Sequence, residues 1–138
     1  SPTSQRGLTE ALALAKRLDA AVVLLHVVDA YPMMIEMATS TTWDRISEGL
    51  RQMGRTTLEA AHAAAAKQGV PCESVLEDVA AARVADVIVE QAKSRRCELI
   101  VMGTHGRRGA GRALLGSDAE LVLRLSPVPV LLVRAPQG

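Results

Sequence analysis

At 138 residues the chain is long enough to bury a substantial core as one domain, 1–138, and too short for two. Its 49% apolar content includes no run approaching the roughly 20 residues that span a bilayer, and no signal peptide is seen, so the expectation is a soluble cytoplasmic protein without a membrane partner. A formal net charge of +1 and 1% aromatic residues, Trp43 and Tyr31 with no Phe, provide neither the field nor the stacking surface that nucleic acid requires.

Residues 1–19 predict a helix, with Ser1 or Ser4 at its start and Pro2 in the first turn, where a missing N–H costs nothing. Leu8, Ala11, Leu12, Ala15 and Leu18 recur at helical spacing and make one apolar face that needs a sheet. Ala21 to Asp29 is a near-continuous, β-branched apolar run, as expected of a parallel strand covered on both faces. Within it His26 has the chemistry of a base, but a lone histidine in an apolar strand reads first as a core residue. Residues 30–42 lack periodicity. Met33, Met34, Ile35 and Met37 there are read as loop residues tucked onto the core, with a pocket cap as the alternative.

From Trp43, the positions Ile46, Leu50, Met53, Thr57, Leu58, Ala61 and Ala64 keep helical spacing to about Lys67, and Gly69-Val70-Pro71 stops the helix. Cys72 to Val79 alternates as a strand nearer the sheet edge. Val84, Val87, Ile88, Gln91 and Ala92 mark a third helix ending near Arg95-Arg96, a pair read as a solvated C-terminal cap suited to the helix dipole. Cys72 and Cys97 have no CxxC or histidine cluster nearby in sequence and read as reduced, half-buried hydrophobes. Glu98 to Met102 predicts a buried strand, Ala119 to Leu125 a helix, and Val128 to Val133 an apolar last strand that would be a liability if left exposed.

Helices alternating with buried strands imply right-handed crossovers and an α/β fold, a doubly wound parallel sheet with helices on both faces. In such sheets ligands sit beyond the strand C-termini. There the chain places Gly103-Thr104-His105-Gly106-Arg107-Arg108-Gly109-Ala110-Gly111-Arg112-Ala113-Leu114-Leu115-Gly116-Ser117. A glycine-rich loop between a strand end and a helix start can hold a phosphate with backbone N–H groups and the helix dipole. Gly103 and Gly106 permit a sharp turn and close approach, and Arg107, Arg108 and Arg112 add cationic donors. Ser117 either caps the helix or lends its hydroxyl to a ligand. Singly, each of these residues has a structural explanation; in concert they read as a phosphate cradle.

The pattern Gly103-x-x-Gly106, nine residues, Gly116-Ser117 resembles the G-2x-G-9x-G-[S/T] motif of the ATP-binding branch of the universal stress protein (UspA) family. Glu98 to Gly106 is similar to the family's "DLIVMGTHG", Ala21 to Asp29 to its "LLHVVD" strand, and Pro127 to Val133 to its closing "PCPVLVV" strand. The resemblance implies a five-stranded, Rossmann-like sheet of the adenine nucleotide alpha hydrolase type. Its central first strand would be missing from this sequence and would lie in about ten residues upstream of Ser1. It further implies a stress-response dimer that binds ATP, with Val128 to Val133 pairing to its twin. Val27, Val28 and Asp29 would wall the base pocket, Met102 and Gly103 would pass the base and ribose, Gly106, Gly116 and Ser117 would hold the phosphates with Arg107 or Arg108 assisting, and His105, Gly109 and Asp118 would belong to the same nucleotide site. Asp118 stands where relatives have a small apolar residue; a carboxylate there suits the helix dipole but repels a triphosphate unless Mg2+ or an arginine intervenes. With no Walker lysine, no opposed acidic pair and no Ser/His/Asp set, the expectation is a nucleotide-binding protein with at most slow ATP hydrolysis, the alternative being a homodimeric interaction module that binds no nucleotide.

Overall fold

The structure, a computed structural model, describes residues 1–30, 40–79, 82–105 and 114–135. Expectations for Met33, Met34, Ile35, Met37, Gly106, Arg107, Arg108, Gly109 and Arg112 lie outside the described residues. In chain order the elements are helix α1 (Pro2–Leu18), strand β1 (Val22–Val28), helix α2 (Ser40–Lys67), strand β2 (Cys72–Asp78), helix α3 (Val84–Ser94), strand β3 (Ile100–Gly103), helix α4 (Ser117–Leu125) and strand β4 (Val130–Val133).

Local chemistry accounts for the helix ends. Ser1 caps α1 through a box in which its hydroxyl accepts from the Ser4 amide and the Ser4 hydroxyl accepts from the Ser1 amine, with Pro2 in the first turn. α2 closes on a left-handed Gly69 (φ 68°), and the Val70 amide reaches back to the Ala65 carbonyl at 3.0 Å. Arg95, expected to be solvated, instead holds the Gln91 side chain at 2.8 Å and Glu73 of β2 at 2.5 Å, tying the end of α3 to the sheet.

β1 and β2 pair in parallel with Val22 opposite Cys72 and Val28 opposite Asp78, and β3 and β4 pair in parallel with Ile100 opposite Val130 and Gly103 opposite Val133. The four described strands make two parallel pairs, with no hydrogen bond joining β1 to β3, and the central fifth strand expected upstream of Ser1 is not among them. The helices pack on these strands in two groups. α1 and α2 meet over a core of Leu12, Ala15, Ala65 and Val70, and α3 and α4 over one of Ala85, Ala92, Ile100 and Val122. α1 packs on β3, β4 and β1, so it spans the two strand pairs.

Two predicted faces are displaced. Leu18, expected in the apolar stripe of α1, is exposed, whereas Thr3 and Gly7 extend that stripe toward the helix start. In α2, Met53 and Thr57 point outward, and the buried line runs through Ser47, Gly54, Leu58 and Ala65. Gly54 is the reason: a Cβ there would lie 2.7 Å from Leu76 Cδ1 and 2.8 Å from His26 Cδ2, so the helix backbone itself rests on the strands. His26 is thereby half-buried under α2, in agreement with its reading as a core residue.

Candidate functional site

The apolar run at 99–102 enters the β3–β4 ladder and carries the chain to its C-terminal edge. The Ile100 amide donates to the Pro129 carbonyl at 3.0 Å, and the Thr104 amide donates to the Val133 carbonyl at 2.9 Å, one residue beyond β3. Thr104 is buried at this point, and its carbonyl accepts from the Gly116 amide at 2.9 Å. That bond brings the strand end and the start of α4 together, with the loop between them outside the described residues.

His105 fastens the same junction. Its Nε2 meets the Leu114 carbonyl, which can only accept, so Nε2 carries the proton and Nδ1 accepts from the Thr104 hydroxyl at 2.9 Å. The Thr3 hydroxyl at the start of α1 donates to the His105 carbonyl at 2.5 Å. Both ring nitrogens are therefore spent within the protein, and the imidazole acts as a clasp across the loop ends.

The glycines fit tightly. A Cβ on Gly103 would lie 2.7 Å from Thr3 Oγ1 and 2.8 Å from Thr3 Cβ; one on Gly116 would lie 3.0 Å from the Thr104 carbonyl oxygen. Gly103 thus admits the first turn of α1, and Gly116 admits the strand-to-helix bond.

Gly116 occupies the N-cap position of α4 (φ −62°, ψ 148°) and brings no side-chain cap. Ser117 is the first helical residue and is exposed, so its alternative reading as the cap is not realised. The Glu120 amide is bonded to the Gly116 carbonyl at 2.9 Å, and the amides of Ser117, Asp118 and Ala119 are the ones that helix geometry leaves without intrahelical acceptors. Such a helix start attracts an anion through its N–H groups and dipole. Asp118 and Glu120 in the same turn oppose this, although Glu120 is paired with Arg124 at 2.9 Å one turn on.

The structure gathers Gly103, His105, Gly116, Ser117 and Asp118 around one strand-to-helix junction. Met102 leads into it, but its side chain packs on the Ala85–Val122 core rather than lining an open site. Val27, Val28 and Asp29 end the other strand pair; Val28 is 3% exposed, and the Val79 amide donates to its carbonyl at 3.0 Å. Thr3 and Thr104 are the members of the junction that the motif does not single out. Their signals are slight: Thr3 continues the spacing of the α1 stripe four residues before Gly7, and Thr104 lies between Gly103 and His105. Among the described residues no group of three or more His, Cys, Asp or Glu side chains is placed to hold a metal ion. No described helix is long and apolar enough to cross a membrane.

Residues 1–134 match the Universal stress protein family. The chain is 37% identical over 138 residues to Universal stress protein MJ0531 of Methanocaldococcus jannaschii, covering 99% of this chain and 78% of that one. It is 32% identical over 140 residues to Universal stress protein YxiE of Bacillus subtilis, covering 97% and 93%. Its fold matches that of the solved hypothetical protein MJ0577 with a TM-score of 0.84 at 23% identity, over 100% of this chain and 92% of that one. Three further structures of the same fold hold adenine nucleotides. One is an Arabidopsis thaliana family protein with AMP bound (TM-score 0.69, 19% identity, 99% and 80% covered). The second is an Archaeoglobus fulgidus protein in complex with dAMP (0.65, 23%, 96% and 89%). The third is a universal stress protein in complex with cAMP (0.67, 22%, 99% and 90%). By its sequence over nearly its full length, and by its α/β architecture of parallel strands and interleaved helices, the chain belongs to the universal stress protein family.

Proposed function

We propose that this chain binds an adenine nucleotide, ATP foremost, with the phosphates at the β3-to-α4 junction. The observation that carries this is the bond from the Gly116 amide to the Thr104 carbonyl, which sets an N-terminal turn without a side-chain cap beside the end of β3. Gly106, Arg107, Arg108 and Gly109 of the motif close the phosphate side in this reading, and Val27, Val28, Asp29 and Met102 approach the base and ribose. Relatives of the same fold that hold AMP, dAMP and cAMP support it. In this reading nucleotide binding, with at most slow hydrolysis, is the activity. Its output is a regulatory one, a homodimer through the apolar β4 edge whose contacts the nucleotide biases in a stress response.

The same proposal completes the sheet. β1 pairs only with β2, and β3 only with β4, among the described residues, while Ser1 and Thr3 lie at the C-terminal end of β3. A strand immediately upstream of Ser1, running parallel between β1 and β3 into α1, makes five.

Asp118 and Glu120 in the first turn of α4 favour a second reading, a dimeric interaction module of this fold without a nucleotide, because two carboxylates repel a polyphosphate. Calorimetry with ATP, ADP and AMP, with and without Mg2+, separates the two. Micromolar binding that Gly116→Val abolishes, with a dimer whose sedimentation changes on nucleotide addition, is the expected result; a dimer with no heat from any nucleotide establishes the second reading.

A further inference from the structure

At the other end of the sheet from this junction, β2 begins with Cys72, which stands opposite Val22 while Asp78 stands opposite Val28. Six residues of strand separate the two ends, roughly 20 Å. Cys72 Sγ lies 3.2 Å from His62 Nδ1, which projects from the last third of α2. His62 is exposed and Cys72 half-buried. Beside them opens a basin of about 430 Å³ lined by Arg55, Glu59, His62, Ala63 and Ser74. Ser74 is two residues along β2 from Cys72 and so on the same face of the strand. The half-buried thiol thus has a ring nitrogen at hydrogen-bond distance, and the same ring lines the basin.

We propose that Cys72 and His62 form a reactive thiol pair that exchanges with small disulfides. His62 Nδ1 takes the Sγ proton, and the thiolate attacks one sulfur of the incoming disulfide. The Cys72–sulfur bond forms as the original S–S bond breaks, and the departing half leaves as a thiolate that takes up a proton from water. No electrons are needed beyond those of the disulfide itself. The adduct sits in the basin at Arg55, whose guanidinium already pairs with Glu48 at 3.0 Å. Because Cys72 also packs on the Leu12–Ala15–Ala65–Val70 core, an adduct there is felt where α1 and α2 meet. This site is independent of the nucleotide reading.

Cys97 supplies an internal control: it is half-buried to a similar degree but packs on the Ala85–Val122 core. The reduced protein is incubated with oxidised glutathione, and adducts at each cysteine are followed by mass spectrometry of tryptic peptides. The expected result is modification of Cys72 at least about tenfold faster than Cys97, slowed about tenfold in His62→Gln with Cys97 unchanged. Equal rates at the two cysteines in the unsubstituted protein, or a Cys72 rate indifferent to His62→Gln in a variant whose thermal melt is unaltered, overturn the proposal. The first comparison needs no variant and stands even if His62→Gln unfolds.

Discussion

Gly103 shows how a motif residue can carry a load its motif does not mention. Read from the sequence, its missing Cβ leaves room for a ligand; in the structure that room is taken by Thr3 of α1 at 2.7 Å. Alanine at 103 therefore drives a methyl into Thr3 and is expected to cost about 1–3 kcal/mol in urea denaturation. Pairing it with Thr3→Ala should recover part of that loss, since Thr3 is the obstacle, although the hydroxyl's bond to the His105 carbonyl goes with it. Strict additivity of the two substitutions would show that the overlap is relieved elsewhere. His105 makes a related point: counted with the nucleotide site from the sequence, its imidazole meets Thr104 and Leu114 through its two nitrogens.

Among the elements, α3 starts on an acid-sensitive pair. The Asp86 carboxylate accepts from the Arg83 amide at 3.3 Å, from its Nε at 2.9 Å and from its terminal nitrogen at 2.9 Å. Hydrogen bonding to the Arg83 side chain holds the Asp86 carboxyl below its ordinary value, against a smaller opposing effect of desolvation. A carboxyl depressed in the folded state contributes stability that is present above the unfolded value, near 3.9, and is lost as pH falls through the lower folded value. Asp86→Asn is therefore expected to lower the urea midpoint at neutral pH by a modest amount, the pair being exposed, and to converge with the parent once pH has fallen below the lowered folded value. A difference that stays constant with pH would assign the effect to helix propensity instead. In α2 the element itself was readable from its apolar spacing and its Gly69 stop, but which face turns inward was not. The pattern centred on Met53 gave way to one on Gly54, because a glycine can be buried by its backbone alone and leaves no apolar signal.

For the whole molecule, the division into two strand pairs has a direct signature in amide exchange. In a parallel strand successive N–H groups point to alternate neighbours. The amides of Val22, Ile100 and Thr104 donate toward β2 or β4, so those of Val23, Leu25, Val27, Val101 and Gly103 point toward the gap between β1 and β3. In the 138-residue chain those five should exchange much faster than their alternates, and a chain extended at its N-terminus by the proposed strand should protect them. Equal protection on both edges in the 138-residue chain would mean that the gap is already filled. The two cores, one under α1 and α2 and the other under α3 and α4, are joined by α1 lying across both pairs, so the junction with Thr3 depends on the packing of the entire helix.

The sequence by itself determined the order and type of the described elements, the capped start of α1, the Gly69 stop, and the meeting of a glycine-rich loop with a helix start. Each of these is decided within a few residues, by periodicity, by a hydroxyl three residues from an amide, or by a glycine where φ is positive. Only the tertiary structure decided that Gly103 makes room for Thr3, that His105 is a clasp, that Arg95 belongs to Glu73, and that Cys72 has a histidine beside it. Apart from the adjacent Thr104 and His105, these contacts join residues from nine positions apart, for His105 and Leu114, to 102, for Thr3 and His105, and no local pattern records such a meeting.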